Sequence, residues 1–218
     1  MKKIFTLLSL IFLSTQFSFS QTYFSEDFEG GQGSWTFFKN NSGNHNWATV
    51  NASALTSEFG STSIWSRSYV DGFGAVTPDN LAISPAIDLT GASGDVVLEY
   101  QFYTQPSYPA DKYSVYVTTS NTPATILAST PIHTEVATSN AFAVNRQIDL
   151  SDYAGQTIYI TFRHYDCYDQ YWIVIDNVKV RAVVPNDVAL QGIEVQNYIL
   201  TNQDTFLGLN LLNVGSND

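Results

Sequence analysis

Alternation of apolar and polar positions dominates the chain beyond its first 20 residues. Residues 96–103, 113–118 and 156–164 each follow a period of two. Successive side chains of a β-strand point to opposite faces, so this period predicts half-buried strands. Residues 172–180 form a near-continuous apolar run that predicts a central strand. Shorter strands are predicted over residues 23–29, 35–39, 63–65, 81–84 and 144–150.

Turn-forming residues separate these strands, and helical periodicity is nearly absent. Clusters of Gly, Asn, Asp and Ser occur at residues 30–33, 40–44, 71–74 and 90–94. Roughly ten short strands joined by such turns predict an all-β fold, an antiparallel β-sandwich of jelly-roll type. A closed barrel is the alternative, but the unequal loop lengths favour the sandwich.

A Pro-containing polar stretch near residues 183–187 predicts a domain boundary. We expect the jelly-roll domain to occupy residues 21–183. Residues 184–218 are then a linker and the incomplete start of a second β (Ig-like) domain, with strands over 188–195 and 206–214. The alternative is a C-terminal hairpin that packs on the first domain.

The first 20 residues have the layout of a secretory signal peptide. Lys2 and Lys3 precede an apolar run over residues 4–13, and a small polar stretch ends at Ser20. The run is shorter than the roughly 20 residues that span a bilayer. We therefore expect residues 1–20 to be removed and the chain to be exported. An N-terminal core strand is the alternative.

Charge and cysteine content narrow the class of partner. The net charge is −11, and loss of Lys2 and Lys3 with the signal peptide makes it −13. Such an acidic chain is not expected to bind nucleic acid or anionic lipid, and no other segment is apolar enough for a membrane span. The single cysteine, Cys167, cannot form an internal disulfide. An exported domain without disulfides needs a good core or a metal ion.

Three acidic residues in two segments of the chain point to a metal site. Asp27 and Glu29 lie two residues apart before a glycine turn, on one face of the predicted strand, where their charges repel unless a cation lies between them. Asp176 interrupts the apolar run, and a buried carboxylate pairs, protonates or binds metal. The alternative is that Asp176 accepts hydrogen bonds from backbone amides or pairs with an arginine such as Arg163 or Arg181.

A third polar group contains Asp71, Asp79, Asn80 and Asp88. These side chains can supply oxygen ligands or stabilise turns. Turn formation is the better interpretation for Asp71 and Asp88.

Aromatic residues supply a second kind of candidate site. Four of them belong to a segment between two predicted strands: Tyr165, Tyr168, Tyr171 and Trp172. Exposed aromatic rings beside acids suit sugar stacking or a protein-binding hot spot. The alternative is that half of these rings pack beneath the loop.

Catalytic motifs are poor. The three histidines lack zinc-site spacing, and no Gly-x-Ser-x-Gly elbow or phosphate-binding glycine fingerprint occurs. His164 and Cys167 lie three residues apart, but proximity in sequence is weak support for a catalytic pair. We expect this fragment not to be an enzyme.

Four blocks in this order resemble the cleaved-adhesin domain family of secreted Bacteroidetes proteins, which includes the adhesin regions of gingipain-type proteases. The resemblance covers residues 22–181. The blocks are Phe24-x-Glu26-Asp27-Phe28-Glu29-Gly30 with Trp35 and Trp47, then Asp79-Asn80-Leu81-x-Ile83-Ser84-Pro85, then Ile148-Asp149-Leu150 to Phe162-Arg163-His164, and Ile175-Asp176-Asn177-Val178.

The resemblance implies a calcium-stabilised jelly roll used for adhesion. It implies that Asp27, Glu29 and Asp176 are calcium ligands, with Asp79 and Asn80 as further candidates, although Leu81 stands where the family often has Trp. It also implies a module of a longer multidomain chain, secreted or on the outer surface of a Gram-negative bacterium.

Three functions follow as hypotheses. The first is an extracellular calcium-stabilised adhesion module that binds a glycan or protein ligand. The second is a non-catalytic targeting domain of a larger secreted protease or glycoside hydrolase. The third is a structural spacer, whose loop aromatics could be replaced without loss of binding.

Overall fold

The computed structural model describes residues 21–55, 59, 62–138 and 143–183, together with the backbone of 188–195 and 207–213. The first 20 residues, where the signal peptide is predicted, lie outside the described residues. The strands up to residue 182 are, in chain order, β1 (Thr22–Glu26), β2 (Thr36–Lys39), β3 (Ala48–Asn51), β4 (Thr62–Arg67), β5 (Tyr69–Val70), β6 (Gly74–Ala75), β7 (Asp79–Ile83), β8 (Ile87–Asp88), β9 (Val96–Thr104), β10 (Lys112–Thr118), β11 (His133–Val136), β12 (Val144–Asp149), β13 (Thr157–Tyr165) and β14 (Trp172–Ala182).

Two antiparallel sheets contain most of these strands. The first sheet has the order β12-β9-β14-β4-β3, and β1 also pairs with β14. The second has the order β11-β10-β13-β7-β2, and β8 also pairs with β13. Strands close in sequence are therefore split between the sheets, which confirms the predicted all-β antiparallel sandwich.

The main core lies between the sheets and follows the predicted alternation. Leu98, Tyr100 and Phe102 of β9 are buried against Ile160 and Phe162 of β13. Phe162 lies at the centre, with its ring 6.0 Å from that of Trp35 and 5.0 Å from that of Tyr100. Burial of these faces is the main source of stability for a domain that has no disulfide.

Several boundaries differ from the sequence predictions. Strand β1 ends at Glu26 and not at Glu29, because Phe28 adopts a left-handed backbone (φ 55°) that breaks the extended run. Five short strands were not predicted, because they are too brief to show a clear alternation: β3, β5, β6, β8 and β11. A short helix, α1 (Pro123–Ala128), was also missed. Its first residue is a proline, which is favoured there because an N–H at the first position of a helix forms no hydrogen bond within the helix. Two 3₁₀ turns occupy Ala52–Ala54 and Ser151–Tyr153.

A polar link joins the edges of the two sheets. Arg146 of β12 donates two hydrogen bonds to Glu135 of β11, with N···O distances of 2.9 and 2.6 Å. The hydroxyl of Tyr113 donates to the same carboxylate at 3.0 Å and lies 2.9 Å from the hydroxyl of Tyr100. The ion pair thus continues into the core through two tyrosine hydroxyls.

The predicted strands near the C-terminus form a separate antiparallel hairpin of β15 (Val188–Val195) and β16 (Leu207–Asn213). Residues 21–183 form one compact unit, and this hairpin belongs to another. That it begins a second Ig-like domain stays a prediction.

Replacement of Phe162 by alanine tests the packing between the sheets. We expect Phe162→Ala to lower the free energy of unfolding by about 3–5 kcal/mol, because a fully buried ring leaves a cavity among other rings. Phe73→Ala is the matched control, because this ring is 65% exposed and its removal should cost no more than about 0.5 kcal/mol. Urea unfolding of both variants checks this, and equal losses would contradict the described core.

Candidate functional site

Asp176 lies where the central strand β14 changes its neighbour. Residues 172–175 of β14 pair with β4, and residues from Val178 onward pair with β1. On its other side β14 pairs with β9, and that register shifts between Asp176 and Lys179. Asn177 has a left-handed backbone (φ 50°), which asparagine tolerates better than most residues. The bulge leaves the Asp176 carboxylate beside the ends of β4 and β1.

The set of β14 residues that faces the core changes from odd-numbered to even-numbered positions across this bulge. Ile173 and Ile175 face the main core before it, and Val178 and Val180 face the core after it. Strict alternation would have turned Val178 and Val180 outward, so the extra residue restores burial of the second half of β14.

The Asp176 carboxylate is buried without a cationic side chain. It is 1% exposed and accepts hydrogen bonds from the Ser63 hydroxyl at 2.5 Å and the Asn177 amide at 2.7 Å. Among the residues that the structure describes, no ion pair involves Asp176. Burial raises its pKa to about 6 against the two hydrogen bonds, and the charges of Glu29 and Asp27 contribute further to the rise.

Asp27 and Glu29 flank a left-handed turn at the end of β1. Between them, the buried ring of Phe28 packs 5.4 Å from Trp35. The Glu29 carboxylate accepts a hydrogen bond at 3.2 Å from the amide of Thr62, the residue before Ser63. The charges of both acids help to raise the pKa of Asp176, and the metal site that these three acids would form stays a prediction.

Asp79 and Asn80 are not part of this acidic group. Both lie on β7 in the second sheet, whereas Asp176 lies on β14 in the first. The Asp79 carboxylate binds Arg163 through two contacts of 2.7 and 3.0 Å, so its charge is already compensated. We therefore correct the prediction and leave Asp79 and Asn80 out of the metal site.

The arginines proposed as alternative partners of Asp176 bind other acids. Arg163 binds Asp79, and Arg181 binds Glu99 at 2.6 and 3.0 Å. This removes the ion-pair explanation for the buried Asp176 carboxylate.

The four aromatic candidates have different environments. Trp172 is 5% exposed and packs 5.7 Å from Tyr103 in a small second core cluster, so its prediction as a ligand-binding residue was wrong. Tyr165 is half-buried, with its ring 4.9 Å from Lys112 and 4.1 Å from Arg163. Tyr168 is 60% exposed.

Tyr171 lines a surface cleft of about 340 Å³, which we call the tyrosine cleft. Its ring stacks on Tyr69 at 5.4 Å, and its hydroxyl donates to Asp71 at 2.5 Å. This hydrogen bond raises the pKa of the Tyr171 phenol, so the hydroxyl stays a donor at neutral pH. The cleft is lined by Tyr69, Asp71, Tyr108, Asp169, Gln170 and Tyr171.

Sequence reasoning found Tyr171 but missed Tyr69 and Tyr108. These residues precede Tyr171 by about 100 and 60 positions and occupy other loops and strands. No local sequence pattern predicts that Tyr69 and Tyr108 approach Tyr171. Asp71 and Gly72, which follow Tyr69, indicate only a turn.

A larger hollow of about 430 Å³ lies over the outer face of β12, β9 and β14. Its polar side chains bind one another: Asn177 donates to Gln101 at 2.7 Å, and Gln147 donates to Glu99 at 3.2 Å. The tyrosine cleft combines rings with acid and amide groups, as ligand sites do, and is the better candidate.

The helices in the part of the chain that the structure describes include none that could span a bilayer.

Comparison with known proteins identifies a family. The family model described as Cleaved Adhesin Domain matches residues 21–180. The chain is 28% identical to Gingipain R1 of Porphyromonas gingivalis over 173 residues and 26% identical to Hemagglutinin A of Porphyromonas gingivalis over 176 residues. Each match covers 74% of this chain but only 10% and 7% of these relatives, respectively.

Solved structures agree on the fold. The K1 Cleaved Adhesin domain of Lys-gingipain from Porphyromonas gingivalis W83 has a TM-score of 0.64 at 26% identity, covering 74% of this chain and 98% of that one. TmCBM61 in complex with β-1,4-galactotriose has a TM-score of 0.52 at 14% identity, covering 74% and 98%, and this likeness shows the fold alone.

The relatives also set the context of the domain. Gingipains and hemagglutinins are large, secreted or cell-surface proteins of a Gram-negative bacterium. In the gingipains, the cleaved adhesin domain is a non-catalytic adhesin module, separate from the protease domain.

The raised pKa of Asp176 predicts that the free energy of unfolding depends on pH in calcium-free buffer. As pH rises from about 4 to 6, the unfolded chain loses this proton while the folded chain keeps it, so stability falls. We expect Asp176→Asn to be more stable than the parent at pH 7 by on the order of 2–3 kcal/mol, with little difference near pH 4. Urea unfolding with a chelator measures this.

Asp152→Asn is the matched control, because Asp152 is exposed. This variant should have nearly the same free energy of unfolding as the parent chain at either pH. If Asp176→Asn is less stable than the parent chain at both pH values, the carboxylate is not an electrostatic cost.

Proposed function

This chain belongs to the family of cleaved adhesin domains, and from that premise we propose an extracellular, calcium-stabilised adhesion module that binds a glycan or protein ligand. The observation that carries the binding role is the tyrosine cleft, which groups Tyr69, Tyr108 and Tyr171 with two acids at the surface. The predicted export signal and the secreted relatives support a location outside the cell or on the outer surface of a Gram-negative bacterium.

The chemistry of the tyrosine cleft suits a sugar or a polar protein surface. The stacked pair of Tyr69 and Tyr171 offers a flat apolar face, while Asp71, Asp169 and Gln170 offer acceptors and donors at its rim. A sugar has an apolar ring face, which can stack on the tyrosine pair, and hydroxyl groups, which can form hydrogen bonds with the polar rim. Tyrosine also loses little conformational freedom on binding, which favours it in protein-binding surfaces.

A calcium ion fits the acidic group of Asp27, Glu29 and Asp176. Calcium takes six to eight oxygen ligands, and carboxylates are preferred among them. The proposal rests on Asp176, which is buried, has no ion-pair partner of its own among the described residues and is influenced by the charges of Asp27 and Glu29. A bound ion would supply the positive charge that compensates all three acids. It would also connect the end of β1 to the break in β14.

A second function is a targeting role within a longer protein. The chain spans about a tenth of the length of the gingipains that it matches. A module of this kind would hold a protease or glycoside hydrolase, encoded elsewhere in the same chain, close to its substrate.

Calcium is expected to raise the melting temperature. A ligand that binds only the folded state at about 100 times its dissociation constant contributes about 2.7 kcal/mol, which is about 5–10 °C for a chain of this size. We expect Asp27→Asn and Asp176→Asn to lose most of this rise, and Asp152→Asn to keep it. Differential scanning calorimetry in calcium and in chelator decides, and an undiminished rise in Asp176→Asn would place the ion elsewhere.

Ligand binding is expected to depend on Tyr171. A broad array of glycans and matrix proteins, with β-1,4-galactan oligosaccharides included because TmCBM61 shares this fold, supplies the probe. We expect Tyr171→Ala to weaken the strongest hit by roughly tenfold or more, since a central aromatic ring commonly dominates a binding site. Tyr171→Phe separates stacking from the hydrogen bond to Asp71.

Tyr168→Ala is the matched control, because Tyr168 belongs to the same loop but does not line the cleft. If Tyr168→Ala abolishes binding while Tyr171→Ala has no effect, the ligand binds outside the tyrosine cleft. An array without any hit would favour the spacer role.

A further inference from the structure

A second cluster of potential metal ligands lies inside the sandwich, apart from the acidic group. Asp111 precedes β10, His164 belongs to β13, and Cys167 follows β13. One ligand atom of each lies within 4.8 Å of the others. Asp111 and His164 are fully buried, and Cys167 is partly exposed. Neither the calcium site nor the tyrosine cleft uses these three side chains.

The imidazole of His164 is held by contacts at both nitrogens. Its Nε2 lies 3.0 Å from Asp111 Oδ1 and 3.1 Å from Cys167 Sγ. Its Nδ1 lies 2.8 Å from the Ser66 hydroxyl, which also accepts a hydrogen bond from the Asn80 amide at 3.0 Å. The second nitrogen therefore has a fixed outer partner, as in metal-binding histidines.

This arrangement differs from a nucleophilic triad. In a triad the nucleophile and the orienting acid contact opposite nitrogens of the imidazole. Here Cys167 and Asp111 both contact Nε2. Burial also raises the pKa of the Cys167 thiol, with the Asp111 charge adding to the rise, which opposes formation of a free thiolate. Convergence of three donors on one point is instead the geometry of a metal site.

Asp111 has an acceptor that the described residues leave unused. Its Oδ1 accepts a hydrogen bond from the Ser68 hydroxyl at 2.5 Å. Its Oδ2 is buried and, among the described residues, has no hydrogen-bond partner. A buried unsatisfied carboxylate oxygen is costly, and a cation would remove that cost.

We propose that Asp111, His164 and Cys167 bind one divalent transition-metal ion, for which zinc is the best fit. A thiolate, an imidazole and a carboxylate form a ligand set that zinc favours over calcium or magnesium. With zinc–ligand bonds of about 2.0–2.3 Å, tetrahedral ligand atoms lie about 3.3–3.5 Å apart. The contacts of His164 Nε2 with Asp111 and Cys167, at 3.0 and 3.1 Å, would need to open by only a few tenths of an ångström.

Proton positions are consistent with this binding. The Cys167 thiol loses its proton to solvent as the thiolate binds the ion. With a metal ion on Nε2, the imidazole hydrogen would lie on Nδ1, where the Ser66 oxygen 2.8 Å away can accept it. The partial exposure of Cys167 leaves space for a water as fourth ligand.

The cluster also supports the loop of the tyrosine cleft. The hydroxyl oxygen of Ser68 accepts hydrogen bonds from the amides of Gln170 and Tyr171, both at 3.1 Å, while its hydrogen goes to Asp111. An ion on Asp111 would therefore stabilise the backbone that presents Tyr171.

Cobalt substitution tests the site, because a cobalt–thiolate bond has its own charge-transfer absorption in the near ultraviolet. The full chain, without a polyhistidine tag and stripped by chelator, is titrated with Co²⁺ and then with Zn²⁺. We expect one cobalt per chain with the thiolate band, and displacement of cobalt by equimolar zinc. Cys167 is the only cysteine, so the band reports on one side chain.

Two variants and a thiol measurement keep the test decisive. Cys167→Ser changes one atom at a partly exposed position and should lose the thiolate band, while Asp176→Asn should keep it. In the unsubstituted chain, equimolar zinc should protect Cys167 from alkylation, and calcium should not.

A cobalt complex without the thiolate band would overturn the proposal, as would unchanged alkylation in the presence of zinc. Either failure leaves the calcium prediction untouched, because that prediction is read from melting in calcium and depends on other residues.

Discussion

The structure depends on the buried carboxylate of Asp176, which is energetically unfavourable and lies in the middle of β14, the strand that pairs with β9, β4 and β1 in the first sheet. Asp176 interrupts β14 between two apolar halves, and each half pairs with a different neighbour on the same side. The bulge at Asn177 makes this possible, since it returns Val178 and Val180 to the core after the carboxylate has turned away from it. The same break brings the end of β1, with Asp27 and Glu29, toward Asp176. Fold and proposed calcium site are thus consequences of one irregularity.

Strand β4 and the residue after it connect the polar features of the interior. Ser63 donates to Asp176, Ser66 contacts His164, and Ser68 donates to Asp111. Serine is small enough to lie between packed sheets, and its hydroxyl both donates and accepts hydrogen bonds. Because Ser68 also binds the amides of Gln170 and Tyr171, the tyrosine cleft rests on a hydrogen-bonded support that begins in the core. Such hydrogen bonds hold the loops of a binding surface in one conformation.

The sequence was sufficient for the sheets and insufficient for contacts between distant loops. Alternation over β9 and β13 predicted which side chains enter the core, because the period of two is a local property. Asp27, Glu29 and Asp176 are predicted calcium ligands because of charge spacing, an acid in an apolar run and the family resemblance. Tyr69 and Tyr108 were missed because no local pattern encodes their approach to Tyr171. Trp172 was assigned to a ligand because periodicity could not show that its ring packs against Tyr103. His164 and Cys167 were noticed as a pair, but their third partner, Asp111, lies 53 residues before His164.

The central claim is that the Asp176 carboxylate is buried to receive a cation, and proton release on calcium binding tests it most directly. With a pKa of about 6, Asp176 is about half protonated at pH 6 in the metal-free chain, and calcium must displace that proton. Isothermal titration calorimetry in two buffers of different ionisation enthalpy measures the release. The account predicts about half a proton per calcium at pH 6, almost none at about pH 8, and none in Asp176→Asn. Calcium binding with equal proton release in the parent chain and in Asp176→Asn, or no calcium binding at all, would contradict it.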